Sequence, residues 1–242
     1  MKLLQLTDVL GRLDNGRLHL GNAELFFDID PETGMVTIVR EIDRERDTTF
    51  FILEITAQEY FENGTIAPSP SNSSTLTNLN IADDNDNTPS FSKSTYEIEM
   101  NEVADFDVSM PFDIFVFDMD LGDNGTYTIE SDYPDDIRIV PAEAFGNVTL
   151  QLTALSSGTI FDYEATQEVT VTLTTTEKAD PSHISTATLI VTLNDDNDHV
   201  PQFQQSVYTV QVEENVQKGH SLVNISATDD DLSDNFGNAS LR

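Results

Sequence analysis

The sequence predicts an all-β fold of tandem Greek-key, immunoglobulin-like β-sandwiches following one another in an extended rod. Three observations carry that expectation. A repeat of about 112 residues runs through the chain, its segments alternate at strand period between turn signals, and no stretch sustains apolar residues at helical spacing. About seven short strands in roughly 100 residues is the density of such a sandwich.

Taken in order, "MKLLQLTDVLGRL" opens the chain, but Gln5, Thr7 and Asp8 interrupt its apolar stretch too early for a signal peptide. No run reaches the roughly 18 apolar residues that span a bilayer. An extracellular protein with this start would be a piece of something longer. Residues 22–45, "NAELFFDIDPETGMVTIVREIDRE", read as the middle of a unit, with no room before Asp43 for two opening strands. Residues 60–80, "YFENGTIAPSPSNSSTLTNLN", read as a flexible connection between late strands. The acidic stretch "IADDNDNTPSF" leads into a whole unit, whose opening strands lie between Tyr96 and Phe117. The turns "GDNG" and "SDYPDD" punctuate that unit, and "EVTVTLTTT" and "STATLIVTL" supply its late strands. A second acidic stretch, "LNDDNDHVPQF", leads into a third unit. The expected organisation is a partial unit over 1–87, a complete one over 88–199 and the N-terminal part of another over 200–242.

The repeat is explicit. Asp83, Asn85, Asp86, Pro89, Phe91, Tyr96 and Glu102 recur 112 residues later as Asp195, Asn197, Asp198, Pro201, Phe203, Tyr208 and Glu214. Asp118 and Asp120 recur as Asp229 and Asp231, 111 residues on, and the triplet Asp43-Arg44-Glu45 recurs as Asp162-Tyr163-Glu164 after 119.

Composition narrows the chemistry. With 11 Lys and Arg against 44 Asp and Glu, the net charge of −33 argues against nucleic acid or anionic membrane as partner. The absence of cysteine excludes a disulfide framework, a thiolate metal site and a thiol nucleophile. Carboxylates crowded at a sheet junction repel by about 1 kcal/mol per pair at 4 Å in water, and by about 4 at an effective dielectric of 20. Cations relieve that, and Asp, Asn and Glu are the oxygen donors that calcium takes. An EF-hand fails on spacing, since from Asp118 the sixth position is Asp123 and the twelfth Ile129, where glycine and glutamate are required. His19, His183, His199 and His220 are scattered, argue against zinc and read as surface or loop residues. Paired carboxylates also serve glycosidases, but here they recur at every junction with no nucleophile constellation, so no enzyme is expected. A calcium-stabilised module of a secreted enzyme or carbohydrate-binding protein is a further alternative, disfavoured by the absence of tryptophan.

Glu102, the Asp118/Asp120 pair, the two Asp-x-Glu triplets and the Asp-x-Asn-Asp stretches before Pro and Phe together resemble the calcium-binding motifs of extracellular cadherin repeats, from about Phe26 to Asp231. The resemblance, to protocadherin-like or Fat/Dachsous-like members, implies calcium-dependent cell–cell adhesion on the extracellular side of the plasma membrane. Other cadherin ectodomains would be the partners, and the parent protein would be membrane-anchored. It implies about three calcium ions per junction. The first junction would take Asp43, Glu45, Asp83, Asn85, Asp86, Asp118 and Asp120, with carbonyls of Asp84, Asn87 and Asn124. The second would take Glu102, Asp162, Glu164, Asp195, Asn197, Asp198, Asp229 and Asp231, with carbonyls of Asp196, His199 and Asn238. Glu177 stands where the family has an aspartate for an inner site, and Glu214, counterpart of Glu102, completes the candidate set. Members that adhere by exchanging a tryptophan-anchored strand offer no precedent, since this chain has no tryptophan. Six N-x-Ser/Thr sequons, at Asn63, Asn72, Asn124, Asn147, Asn224 and Asn238, lean towards secretion.

Overall fold

The computed structural model describes residues 2–14, 17–21, 26–59, 65, 72–103, 105–110, 113–156 and 159–231. Every assigned element among them is a strand, and none is a helix long and apolar enough to cross a membrane. Two compact units divide the chain, Met1–Asp86 and Asn87–Arg242.

In the first unit, β1 (Lys2–Asp14), β2 (Arg17–Gly21), β5 (Phe50–Glu59) and β6 (Asn72–Asn80) form an antiparallel sheet in the order β2-β1-β5-β6. A hairpin of β3 (Phe27–Ile29) and β4 (Val36–Ile38) supplies Phe26, Phe27 and Ile29, which pack on Phe51 and Leu53 of β5. Residues 2–14 and 17–21, to which the sequence reading assigns no element, form β1 and β2. One sequence expectation changes here: the second half of the expected connection at 60–80 is strand β6, paired along β5 from Phe50↔Asn80 to Gln58↔Asn72. Its Ser, Thr and Asn content reads as loop, but Thr75, Leu76, Thr77 and Leu79 suit a strand whose outer side chains are solvated.

The second unit is a Greek-key sandwich. One sheet runs β12 (Glu143–Phe145), β10 (Thr126–Ser131), β14 (Glu168–Glu177), β15 (Ile184–Asn194), β8 (Thr95–Asn101); the other runs β11 (Ile137–Val140), β13 (Val148–Ala154), β9 (Ile114–Phe117), β7 (Ser90–Phe91). β15 pairs antiparallel with β14 and parallel with β8. Between the sheets Ile114, Val116, Tyr127, Ile129, Leu150, Leu152, Val171, Leu173, Leu189 and Val191 form the core. Each such side chain contributes about 1.5–3 kcal/mol of burial. Beyond the sandwich, β16 (Gln202–Phe203) pairs with β17 (Ala227–Thr228).

The period of two also sets the chemistry. On β14 the inward positions run Val169, Val171, Leu173, Thr175, Glu177, and on β9 the inward row Ile114, Val116 continues to Asp118. The same alternation that builds the core therefore carries carboxylates, buried, to one end of the sandwich.

Candidate metal centre

Glu102, 2% exposed, follows the last residue of β8. Its Oε2 accepts the Tyr163 N–H at 2.6 Å and its Oε1 accepts the Asp196 N–H at 3.0 Å. The Val103 N–H returns a bond to Asp196 Oδ2 at 3.2 Å. One carboxylate thus ties the end of β8 to the turn at 162–166 and to the linker after β15. That turn is held by Asp162, whose Oδ1 accepts the Ala165 N–H at 2.9 Å and whose carbonyl accepts the Thr166 N–H at 2.9 Å. Downstream, the Asp231 N–H donates to Asp229 Oδ1 at 3.3 Å, and the His199 N–H donates to Asp231 Oδ1 at 3.1 Å.

These anchors converge on two overlapping clusters. Glu164, His199 and Asp231 each offer a ligand atom within 4.8 Å of the others, and so do Glu102, Glu164 and Asp198. Glu164 belongs to both. Both of its carboxylate oxygens, and Oδ2 of Asp231, are shielded from solvent and have no hydrogen-bond partner elsewhere among the described residues. Burial, reinforced by the charges of Glu102 and Asp195, pushes the Glu164 carboxyl up to about 7. Among the described residues no Lys or Arg pairs with either cluster. His199 Nδ1 lies 2.8 Å from Asp198, 3.4 Å from Asp231 and 3.7 Å from Glu164. Burial works against its charge, but the Asp198 hydrogen bond and the three carboxylates hold the imidazole above its ordinary value. Shielded oxygens with lone pairs facing one another, at a separation where repulsion is a few kcal/mol per pair, suit a hard cation that takes oxygen ligands.

The same turns occur elsewhere in the chain. At the N-terminal end of the second unit, the Asp120 N–H donates to Asp118 Oδ1 at 3.0 Å, and Asn87 donates its N–H to Asp120 Oδ2 at 3.0 Å and its amide Nδ2–H to Oδ1 at 2.6 Å. Burial, with Asp120 and Glu177 adding to it, holds the Asp118 carboxyl above its ordinary value. Glu177, 1% exposed, accepts from the Asp180 N–H at 3.1 Å and lies 2.6 Å from His183 Nδ1. In the first unit, Asp43 Oδ1 accepts the Arg46 N–H at 2.8 Å and the Asp43 carbonyl accepts the Asp47 N–H at 2.7 Å, the turn of Asp162 over again. Here, however, Arg44 stands where the second unit has Tyr163, and its guanidinium lies 2.8 Å from Glu45 and 3.4 Å from Asp83.

No family model matches the chain. Human cadherin-23 is 30% identical over 226 residues, 91% of this chain and 6% of that protein. Protocadherin-11 X-linked of Pan troglodytes is 28% identical over 234 residues, 92% of this chain and 16% of its own length. The crystal structure of human CDH23 EC21-23 superposes with a TM-score of 0.74 at 22% identity, over 96% of this chain and 74% of that one, and shares the fold. The chain carries cadherin superfamily repeats. It spans a small part of the curated relatives it matches.

Of the ligands that the cadherin resemblance implies, Glu102, Glu164, Asp198, His199 and Asp231 meet in the two clusters. Asp195 and Asp196 flank them in the linker, Asn197 is exposed there, and Asp162 and Asp229 brace the turns. Glu214 lies in an exposed turn outside both clusters, and Asn238 lies outside the described residues. In the first unit Asp83 and Asn85 are half-buried and Asp84 and Asp86 exposed, while Asn124 is half-buried in the loop before β10 of the second.

His183 and His199 lie in loops, as the sequence reads, and also face buried carboxylates, which sequence spacing does not show: the β14–β15 turn folds His183 onto Glu177, and the linker brings His199 to Asp231. The available signal was positional: His199 is the counterpart of Asn87, and both donate a backbone N–H to the second aspartate of their Asp-x-Asp pair.

Proposed function

We propose that this chain binds calcium and serves in calcium-dependent adhesion as part of an extracellular cadherin ectodomain. The observation that carries it is the pair of clusters sharing Glu164, whose two shielded carboxylate oxygens find no hydrogen-bond partner elsewhere and no Lys or Arg among the described residues. A bound calcium ion supplies positive charge and accepts six to eight oxygens. Glu102, the turn at 162–166, the linker through His199 and the Asp229–Asp231 turn hold those oxygens in place before any ion arrives. Asp43, Glu45, Asp83, Asn85, Asp86, Asp118, Asp120 and the carbonyls of Asp84, Asn87 and Asn124 are proposed ligands on the same chemical grounds. Repeat boundaries at 87/88 and 199/200, about three ions per repeat junction, a membrane-anchored parent and other cadherin ectodomains as partners complete the reading.

Calorimetric titration of the full chain with calcium tests it. We expect saturable binding at roughly 10⁻⁴ to 10⁻³ M, as extracellular calcium modules show, and a rise in melting temperature that chelator reverses. A flat titration with superimposable melts would overturn the reading. Glu164→Gln removes the carboxylate common to both clusters, and its expected result is loss of at least one ion from the stoichiometry.

A further inference from the structure

The outer face of the β9–β13 ladder carries an aromatic patch that the adhesion reading does not use. Phe115 is 50% exposed and Phe117 41%, the outward positions of a strand whose inward Ile114 and Val116 are buried. Thr149 pairs with Phe115 and Val148 with Val116, and the Asp118 N–H donates to the Gly146 carbonyl at 3.1 Å. Continued by one residue, that register sets Asn147 opposite Phe117, on the same outer face as Thr149 and Phe115. Phe115, Phe117, Asn147, Val148 and Thr149 line a shallow concavity. A contiguous exposed apolar patch in a soluble domain calls for a cover.

Asn147-Val148-Thr149 is itself an N-x-Thr sequon. Asn147 is exposed in the tight turn between β12 and β13, which Gly146 makes possible at φ +60°, and its amide makes no hydrogen bond among the described residues. Thr149 is likewise exposed. The sequon at Asn124 is the contrast. There the Thr126 hydroxyl donates to the Gly122 carbonyl at 3.0 Å, and Gly125 is pressed onto the Asp120 backbone. Asn224 is exposed with no aromatic pair across a ladder from it, Asn63 and Asn238 lie outside the described residues, and of Asn72 only the β6 backbone is described.

We propose that Asn147 is an N-glycosylation site whose first N-acetylglucosamine lies across Phe117 and Phe115. The donor is an oligosaccharide on a polyprenyl diphosphate. The Asn147 amide nitrogen attacks its anomeric carbon, a C–N bond replaces the C–O bond, the diphosphate leaves with the bonding pair, and the amide gives up one proton to base. One face of the pyranose presents only C–H groups, which fit an aromatic ring, while its hydroxyls face water. The sugar thus covers apolar surface and keeps the face soluble. The proposal rests on the extracellular reading above.

The test is the full chain secreted from animal cells behind a cleavable leader, with occupancy of all six sequons read by mass spectrometry after N-glycosidase release in heavy-oxygen water. Asn147 is expected to be occupied in most molecules. Melting temperature should fall by about 2 to 4 °C in Asn147→Gln, and Phe117→Ser should keep the glycan but abolish the difference that it makes; Phe115→Ser is the second variant. A bare Asn147, whether or not another sequon is modified, overturns the site. A glycan whose loss leaves the melt unchanged overturns its seat on the rings. Calcium titration of the same secreted sample separates the two readings: binding with a bare Asn147 sinks only the glycan, and a glycan without calcium response sinks only the calcium reading.

Discussion

Glu102 does two things with one carboxylate: it satisfies two backbone N–H groups, on Tyr163 and Asp196, and it presents its oxygens to Glu164 and Asp198. The first role needs no ion. Glu102→Ala orphans both donors, at about 1–3 kcal/mol for each that stays buried, so urea unfolding in chelator should already show the loss. Glu102→Gln keeps one acceptor oxygen and should lose about half as much. An Ala variant that unfolds with the parent in chelator would mean that water replaces the carboxylate freely. Glu164 makes the complementary case. Its folded-state carboxyl sits at about 7, above its ordinary 4.5, so the folded state holds the proton more tightly than the unfolded one. The resulting stability is fully present below pH 4.5 and is lost as pH rises to about 7. In chelator the melting temperature should therefore fall across that window, and Glu164→Gln should flatten the fall. A slope unchanged by the substitution would assign it to the general negative charge instead.

At the scale of elements, strand periodicity carried most of what was legible. The inward row Val169, Val171, Leu173, Thr175 can be read from "EVTVTLTTT" alone, which is why β14 is expected, whereas Glu177 at the end of that row comes into view only through the cadherin resemblance. Strand β6 was not, because its polar residues suit a solvated strand and a loop equally, and only its pairing with β5 decides. The parallel pairing of β8 with β15 brings together residues about 93 apart, and no local pattern encodes it. That pairing delivers Glu102 to the linker. The loop from Asp118 to Thr126 is equally dependent on backbone approach: a Cβ on Gly125 would lie 2.3 Å from the Asp120 carbonyl oxygen. That neighbour is backbone and cannot swing aside, so Gly125→Ala must displace the loop that holds Asp118 and Asp120. Thermal unfolding should show a loss of about 1–3 kcal/mol, with the Asp120–Asn87 hydrogen bonds weakened in amide exchange. Parental exchange at Asn87 in a stable variant would show that the loop absorbs the methyl elsewhere.

For the molecule as a whole, the repeat made the family legible, since an ordered ligand set returning every 112 residues is hard to reach by chance. What it could not give was the local counter-charge. Arg44 pairs with Glu45 and Asp83 in the first unit, where the matching position of the second holds Tyr163 and Glu164 has no Lys or Arg partner among the described residues. One unit thus answers part of its acidic end from within, while the other looks to solvent or to a bound ion. Across the chain the excess of 33 negative charges opposes compaction in the same way, and it is open to screening. The Debye length shortens from about 14 Å to about 4 Å between 0.05 and 0.5 M salt. In chelator, then, sodium chloride over that range should raise the melting temperature steadily. In millimolar calcium the rise should vanish or reverse, because the ion already neutralises the densest clusters and added salt weakens its hold on them. Parallel salt responses with and without calcium would show that the repulsion is spread over the surface, with no concentration at the clusters around Glu164.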